Sequence, residues 1–171
     1  IEKKFYAFFC DYAVETLKLC SITEKTMRKR MTFSGMDKLQ EAMGKDKSCV
    51  LYLGHYCNWE WISSIPLYMD KDIKCGQVYH PLRNKISDKL FLKIRSRFGA
   101  INIPMQTTLK KILTYQKANQ QWIVGFISDQ GPKWNSIHYW LNFLHQDTPV
   151  FTGVERIAHR TKAVVFYMDV K

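Results

Sequence analysis

The chain has 171 residues, 46% hydrophobic and 14% aromatic, which suits one domain with its own core and argues against disorder. Its 26 Lys and Arg against 15 Asp and Glu leave a net charge of +11. Such a field draws anionic partners (nucleic acid, phosphorylated lipid headgroups, acidic carrier proteins) without choosing among them. Five cysteines, Cys10, Cys20, Cys49, Cys57 and Cys75, form an odd set with no Cys-x-x-Cys, which argues against a disulfide framework or zinc ribbon and for a reducing compartment. There is no signal peptide and no apolar run long enough to cross a bilayer. The chain begins inside a helical pattern at Ile1 and ends at Lys171 after a strand-like run, so both ends read as cut, and a membrane anchor upstream of Ile1 is an expectation.

In chain order, residues 3–20 read as an amphipathic helix with Phe5, Phe9, Tyr12, Thr16 and Leu19 near one face. Ser21 to Glu24 has the capping-box pattern and opens a second helix, which ends in Arg28-Lys29-Arg30. Ser34 and Asp37 open a third through about Met43. Cys49 to Leu53 is a continuous apolar run, the mark of a strand buried on both faces. Asn58 is placed to cap a helix to about Met69, kinked or stopped near Pro66. Residues 75–79 read as a strand. Residues 84–98 read as a helix with Ile86, Leu90, Ile94 and Phe98 on one stripe and Lys85, Lys89, Lys93 and Arg97 on another. A short strand at Ile101–Ile103, a helix over 107–118 and a buried strand at Trp122–Ile127 follow. Asp129 to Thr148 has no assignable regular structure, and a loop of that length is usually functional. A helix over 151–161 and a strand from Ala163 to Val170 complete the chain. Strands alternating with helices predict a single α/β domain over 1–171 with a largely parallel sheet flanked by helices.

The chemistry concentrates at the end of the first buried strand. His55 follows Gly54 at the carboxyl end of that strand, where open α/β sheets bind ligands, and a histidine there can act as general base. Glu60, five residues on, can fold back to fix the imidazole tautomer and stabilise the imidazolium. The same spacing also fits a histidine that ends the strand and a solvated first-turn carboxylate. Cys57 lies two residues from His55 but is poorly placed as a nucleophile. No GxSxG elbow, Walker loop, GxGxxG fingerprint or metal-ligand spacing occurs, and no metal is expected.

Gly54-His55-Tyr56-Cys57-Asn58-Trp59-Glu60 resembles the His-x4-Asp/Glu motif of the glycerolipid acyltransferase superfamily. More narrowly, the chain resembles the lipid A biosynthesis lauroyl/myristoyl acyltransferases of Gram-negative bacteria. Phe9-Cys10-Asp11-Tyr12 with Glu15 is similar to their entry helix, and Tyr79-His80-Pro81-Leu82-Arg83-Asn84 to their Tyr-Arg-Pro segment, with His80 where the family usually has Arg. Ser128-Asp129-Gln130-Gly131-Pro132-Lys133 and Phe151-Thr152-Gly153, with Ala158 and Arg160, resemble two further segments.

The resemblance implies a glycerolipid-acyltransferase-like domain in which His55, as general base assisted by Glu60, lets a hydroxyl of a lipid A precursor attack an acyl thioester. It implies no cofactor; acyl carrier protein or coenzyme A brings the acyl group as co-substrate. Partners would be that donor, an anionic glycolipid and the cytoplasmic face of the inner membrane, with no nucleic acid. Arg83, Asn84, Arg97, Asp129, Gln130 and Lys133 would bind substrate, and Trp59, Trp61 and the aromatics of 134–143 are candidate lining for the acyl chain. Two alternatives stand beside this: acyl transfer to another lysolipid or aminolipid, and a non-catalytic basic module for nucleic acid or anionic membrane.

Overall fold

In the computed structural model, which describes residues 1–170, three helices precede the first strand: α1 (Glu2–Lys18), α2 (Glu24–Arg30) and α3 (Met36–Met43). The remaining elements are β1 (Cys49–Leu53), a 3-10 segment (Trp59–Tyr68), β2 (Lys74–Tyr79), α4 (Lys85–Ser96), β3 (Ile101–Pro104), α5 (Thr108–Lys117), β4 (Trp122–Ile127), β5 (Trp140–Phe143), β6 (Gln146–Pro149), α6 (Gly153–Thr161) and β7 (Val164–Tyr167). Five strands form one sheet in the order β3-β2-β4-β1-β7, and every neighbouring pair is parallel. The expected α/β class and parallel sheet are what the chain adopts.

The two faces of the sheet are covered by different parts of the chain. Val50, Val124 and Phe126 pack against Ile112 and Tyr115 of α5 and Val154, Ile157 and Ala158 of α6. Alternate residues Cys49, Leu51 and Ile123 point the other way, onto Leu39 and Met43 of α3 and Ile65 and Met69 in and after the 3-10 segment. Both sets are apolar, so β1 and β4 read as continuous runs rather than as alternations. The connection leaving β1 thus runs over one face, and α6, which lies between β4 and β7, over the other. Where neighbouring parallel strands send their connections to opposite faces, a crevice opens at their carboxyl ends.

Several local expectations are corrected. The Trp59–Tyr68 segment is 3-10 rather than α-helical. Pro66 offers no N–H and disfavours α geometry in the residue before it. The Ser63 and Ser64 hydroxyls donate to the carbonyls of Glu60 and Trp61, each three residues back and each at 2.7 Å. Asn58 does not cap this segment; its amide donates instead to Glu15 Oε2 at 2.7 Å. The second helix is capped by Thr23, whose hydroxyl accepts from the Thr26 N–H at 3.2 Å, not by Ser21. The third starts from Gly35 at φ 76°, where a side chain at the neighbouring Ser34 has no capping part. The unassigned stretch contains an antiparallel hairpin, with Phe143 opposite Gln146 across the two-residue turn Leu144-His145. Both turn residues have positive φ, 53° and 62°. That geometry ordinarily selects Asn-Gly or Asp-Gly, so the sequence carries no hairpin signal here.

Cys49 and Cys75 lie in the sheet, and burial pushes both thiols up to about 12. Cys10 and Cys20 are exposed. A thiolate-selective alkylating reagent should therefore label Cys10 and Cys20 in the native protein and reach Cys49 and Cys75 only after denaturation. Peptide mapping of the labelled protein reads this directly, and early labelling of Cys49 or Cys75 would contradict the buried sheet.

Candidate active site

The parallel register pairs Leu53 with Ile127, so the residues that follow each strand emerge side by side. The Ser128 N–H donates to the Leu53 carbonyl at 3.2 Å and extends the pairing by one step. Gly54-His55 and Ser128-Asp129 consequently face each other across the crevice. The His55 backbone N–H donates to Asp129 Oδ2 at 2.7 Å, and His55 Nδ1 lies 2.8 Å from Oδ1 of the same carboxylate. One carboxylate thereby grips both the backbone and the ring of one residue. Gly54 permits the approach: a Cβ there would sit 3.3 Å from Asp129 Oδ2.

Partial burial of Asp129 opposes its ionisation, but the His55 backbone N–H and the hydrogen bond and charge of its ring outweigh this and hold the carboxyl below its ordinary value. With Asp129 ionised and accepting at Nδ1, the ring carries its proton on Nδ1 and leaves the Nε2 lone pair free to act as base. A cleft of about 270 Å³ beside the pair is lined by Tyr52, Leu53, Gly54, Ser128, Asp129 and residues of β7.

Glu60 is not turned toward His55, as its spacing predicts, but toward Arg95. It is 4% exposed, and its two oxygens accept from Arg95 Nε at 2.8 Å and Nη2 at 2.6 Å. The carboxylate that meets His55 is that of Asp129, which the resemblance implies at the substrate. The reason is topological: after the sharp bend at Cys57, φ 49°, Glu60 enters the interior beneath α4, whereas β4 delivers Asp129 straight to the imidazole. For Arg95, burial opposes the charge, but the hydrogen bonds and charge of Glu60 outweigh it and raise the guanidinium above its ordinary value.

The ring of His55 is also held from the N-terminal side. It meets Trp59 edge-on, with centroids 5.0 Å apart, and Trp59 stacks on Tyr12 of α1 at 4.7 Å. Glu15 adds its contact with Asn58, and its carbonyl accepts from Trp61 Nε1 at 3.2 Å. Trp61 is therefore core, packed with Leu19, Ile22, Met27 and Ile94, and does not line a groove.

The other expected substrate residues separate into two groups. Arg83, Gln130 and Lys133 are exposed on loops that leave the carboxyl ends of β2 and β4, the same end of the sheet as His55. Asn84 is at that end too, but its side-chain oxygen caps α4, accepting from Ile86 and Ser87 N–H at 2.9 and 3.0 Å. Arg97 lies at the far end of α4, toward the amino ends of the strands, and donates to the Leu19 carbonyl. It fastens α1 to α4 and is remote from the crevice. Arg95 was missed by sequence reasoning. Its signal was an arginine placed between Phe91 and Phe98 at helical spacing, an apolar setting that demands a buried partner. Among the described residues, no cluster of three or more His, Cys, Asp or Glu is gathered to hold a metal ion.

A family model described as bacterial lipid A biosynthesis acyltransferase matches residues 1–170. A lipid A biosynthesis acyltransferase of Haemophilus influenzae is 23% identical over 146 residues, which cover 85% of this chain and 44% of that protein. The chain thus spans less than half the length of this curated relative. With the family match running through every described element, from α1 to β7, the chain belongs to the bacterial lipid A biosynthesis acyltransferase family.

Proposed function

We propose that the protein transfers a fatty-acyl group from a thioester donor to a hydroxyl of a lipid A precursor, with His55 as general base and Asp129 as the carboxylate that orients it. The observation that carries this reading is the two-point grip of Asp129 on His55 at the carboxyl ends of two central strands. His55 Nε2 takes the proton of the acceptor hydroxyl as its oxygen attacks the thioester carbonyl. The imidazolium that forms is stabilised by Asp129, and its proton then goes to the leaving thiolate as the tetrahedral intermediate collapses. No covalent acyl-enzyme is required.

Acyl carrier protein or coenzyme A serves as donor, and a phosphorylated glucosamine lipid as acceptor. Arg83 and Lys133 are on the right end of the sheet to meet an anionic headgroup or carrier. On this reading the protein acts at the cytoplasmic face of the inner membrane, where it would meet such a lipid. The test is to incubate the full-length protein in membranes with labelled acyl thioesters and a panel of acceptor lipids, and to identify products by mass spectrometry. An acylated lipid A precursor is the expected product. A product made only from another lysolipid or aminolipid would replace the acceptor, and no product from any pair would overturn the reading.

A further inference from the structure

Contacts run from α1 into the segment that follows His55. The Tyr12 ring stacks on Trp59, with centroids 4.7 Å apart and planes 27° from parallel. One turn on, Glu15 Oε2 accepts from the Asn58 amide at 2.7 Å, and the Glu15 carbonyl accepts from Trp61 Nε1 at 3.2 Å. Trp59 in turn meets His55 with ring centroids 5.0 Å apart and planes at 81°. Residues 1–11 are all exposed, and Tyr12 is the first half-buried residue of α1. We propose that Tyr12 and Glu15 are positioning residues for the general base: they hold Trp59 and Asn58, and through Trp59 they fix the direction in which His55 presents Nε2. The inference rests on the proposed function and adds to it the part of the chain that aims the base.

The geometry of His55 calls for such a support. Its side chain is 36% exposed, so the core does not clamp the ring. Asp129 holds the residue at two points, the backbone N–H and Nδ1. Two points define an axis, and the ring can still turn about it and carry Nε2 sideways. Trp59 meets the ring away from those points and blocks that swing. The backbone between them does not hold Trp59 in place by itself. It passes through Cys57 at φ 49°, a strained conformation for a residue with a side chain, which persists where the surroundings impose it. Tyr12 and Glu15 grip the two residues just beyond that bend.

Simple docking of α1 does not account for these contacts. The helix is fastened further along by apolar burial, where Leu19, 0% exposed, packs with Ile22, Met27, Trp61 and Ile94. Glu15 makes no ion pair among the described residues. Its carboxylate is half-buried against a neutral amide, whose own Oδ1 is buried without a hydrogen-bond partner among the described residues. Desolvating these groups adds little to stability. What the contact does is tie down the residue next to Trp59.

The test measures acyl transfer by the full-length protein in membranes, with the labelled thioesters and acceptor panel already described. Tyr12→Leu should lower kcat about tenfold or more and move the acceptor KM by less than about twofold, since a base swung out of line loses rate without losing substrate. Tyr12→Phe, which keeps the stacked ring, should stay within about twofold of the parent. Glu15→Ala should lower kcat in the same manner, and Glu15→Gln, whose amide oxygen can still accept from Asn58, should restore most of it. The decisive comparison uses a His55→Ala background, where there is no ring to aim. There Tyr12→Leu should cost less than about twofold more, whereas a change that merely unfolds part of the protein would cost its full factor again. The Glu15 variants carry the same comparison should Tyr12→Leu not fold. Near-parental kcat for Tyr12→Leu or Glu15→Ala, beside a crippled His55→Ala, overturns this inference alone. So does a loss that repeats in full on the His55→Ala background. Near-parental transfer by His55→Ala overturns the proposed function and this inference with it.

Discussion

Replacing His55 with alanine is expected to lower acyl transfer by the full-length protein by about 10²–10⁴-fold, with little change in apparent acceptor affinity, because a general base acts in the transition state. Asp129→Asn should approach the same loss by a different route. The carboxylate faces two donors, the His55 backbone N–H and ring Nδ1–H, with one oxygen each. An amide can accept from only one of them. If its oxygen keeps the backbone N–H, its NH₂ points at Nδ1, and the ring must move its proton to Nε2. That tautomer has no lone pair to offer the acceptor hydroxyl. The two losses should not add, since the residues act as a unit. Steady-state rates of the two single variants and the double variant, with circular dichroism to check folding, decide this. Near-parental rates for either single variant would overturn the His55–Asp129 assignment.

Removing one member of the Glu60–Arg95 pair should destabilise the fold by about 3–5 kcal/mol, because the partner is left charged, buried and unpaired. For a chain of this size that is roughly a 6–20 °C fall in Tm. Arg95→Ala leaves Glu60 nearly without solvent contact, and Glu60→Ala leaves Arg95 beside Phe91 with its fork empty. Replacing both with apolar residues, as in Glu60→Leu with Arg95→Met, should recover much of the loss, since two buried charges lose hydration that their attraction only partly offsets. Thermal unfolding of the three variants measures this. The activity of a folded Glu60→Gln variant adds a second readout: a modest loss fits a positioning role, whereas a loss as deep as that of His55→Ala would return Glu60 to the centre of the reaction.

The parallel α/β class was legible because Cys49–Leu53 and Trp122–Ile127 are unbroken apolar runs separated by helical patterns, and burial on both faces of a sheet demands such runs. His55 was legible for the same reason: Gly54 ends the run, and ligands gather where such strands end. The hairpin was not, because its turn is made by Leu144-His145 rather than by residues that favour positive φ. Nor were the caps of the second helix and of the 3-10 segment. Ser21 and Asn58 have the right side chains, but Thr23 took the first position, and Glu15 on α1 drew the second away through a contact 43 residues distant.

The sequence by itself determined which residue types stand where strands β1 and β4 end: a histidine after a glycine, and an aspartate after a serine. Tertiary structure alone decided which carboxylate serves the histidine. Five residues separate His55 from Glu60 and 74 separate it from Asp129, yet the near acid is turned inward to Arg95 and the far one is brought within 2.8 Å. Strand order is the physical cause. Setting β4 directly beside β1 makes the two strand ends neighbours, and neighbourhood in a parallel sheet follows from how the crossing helices cover its faces, which no local spacing in the chain encodes.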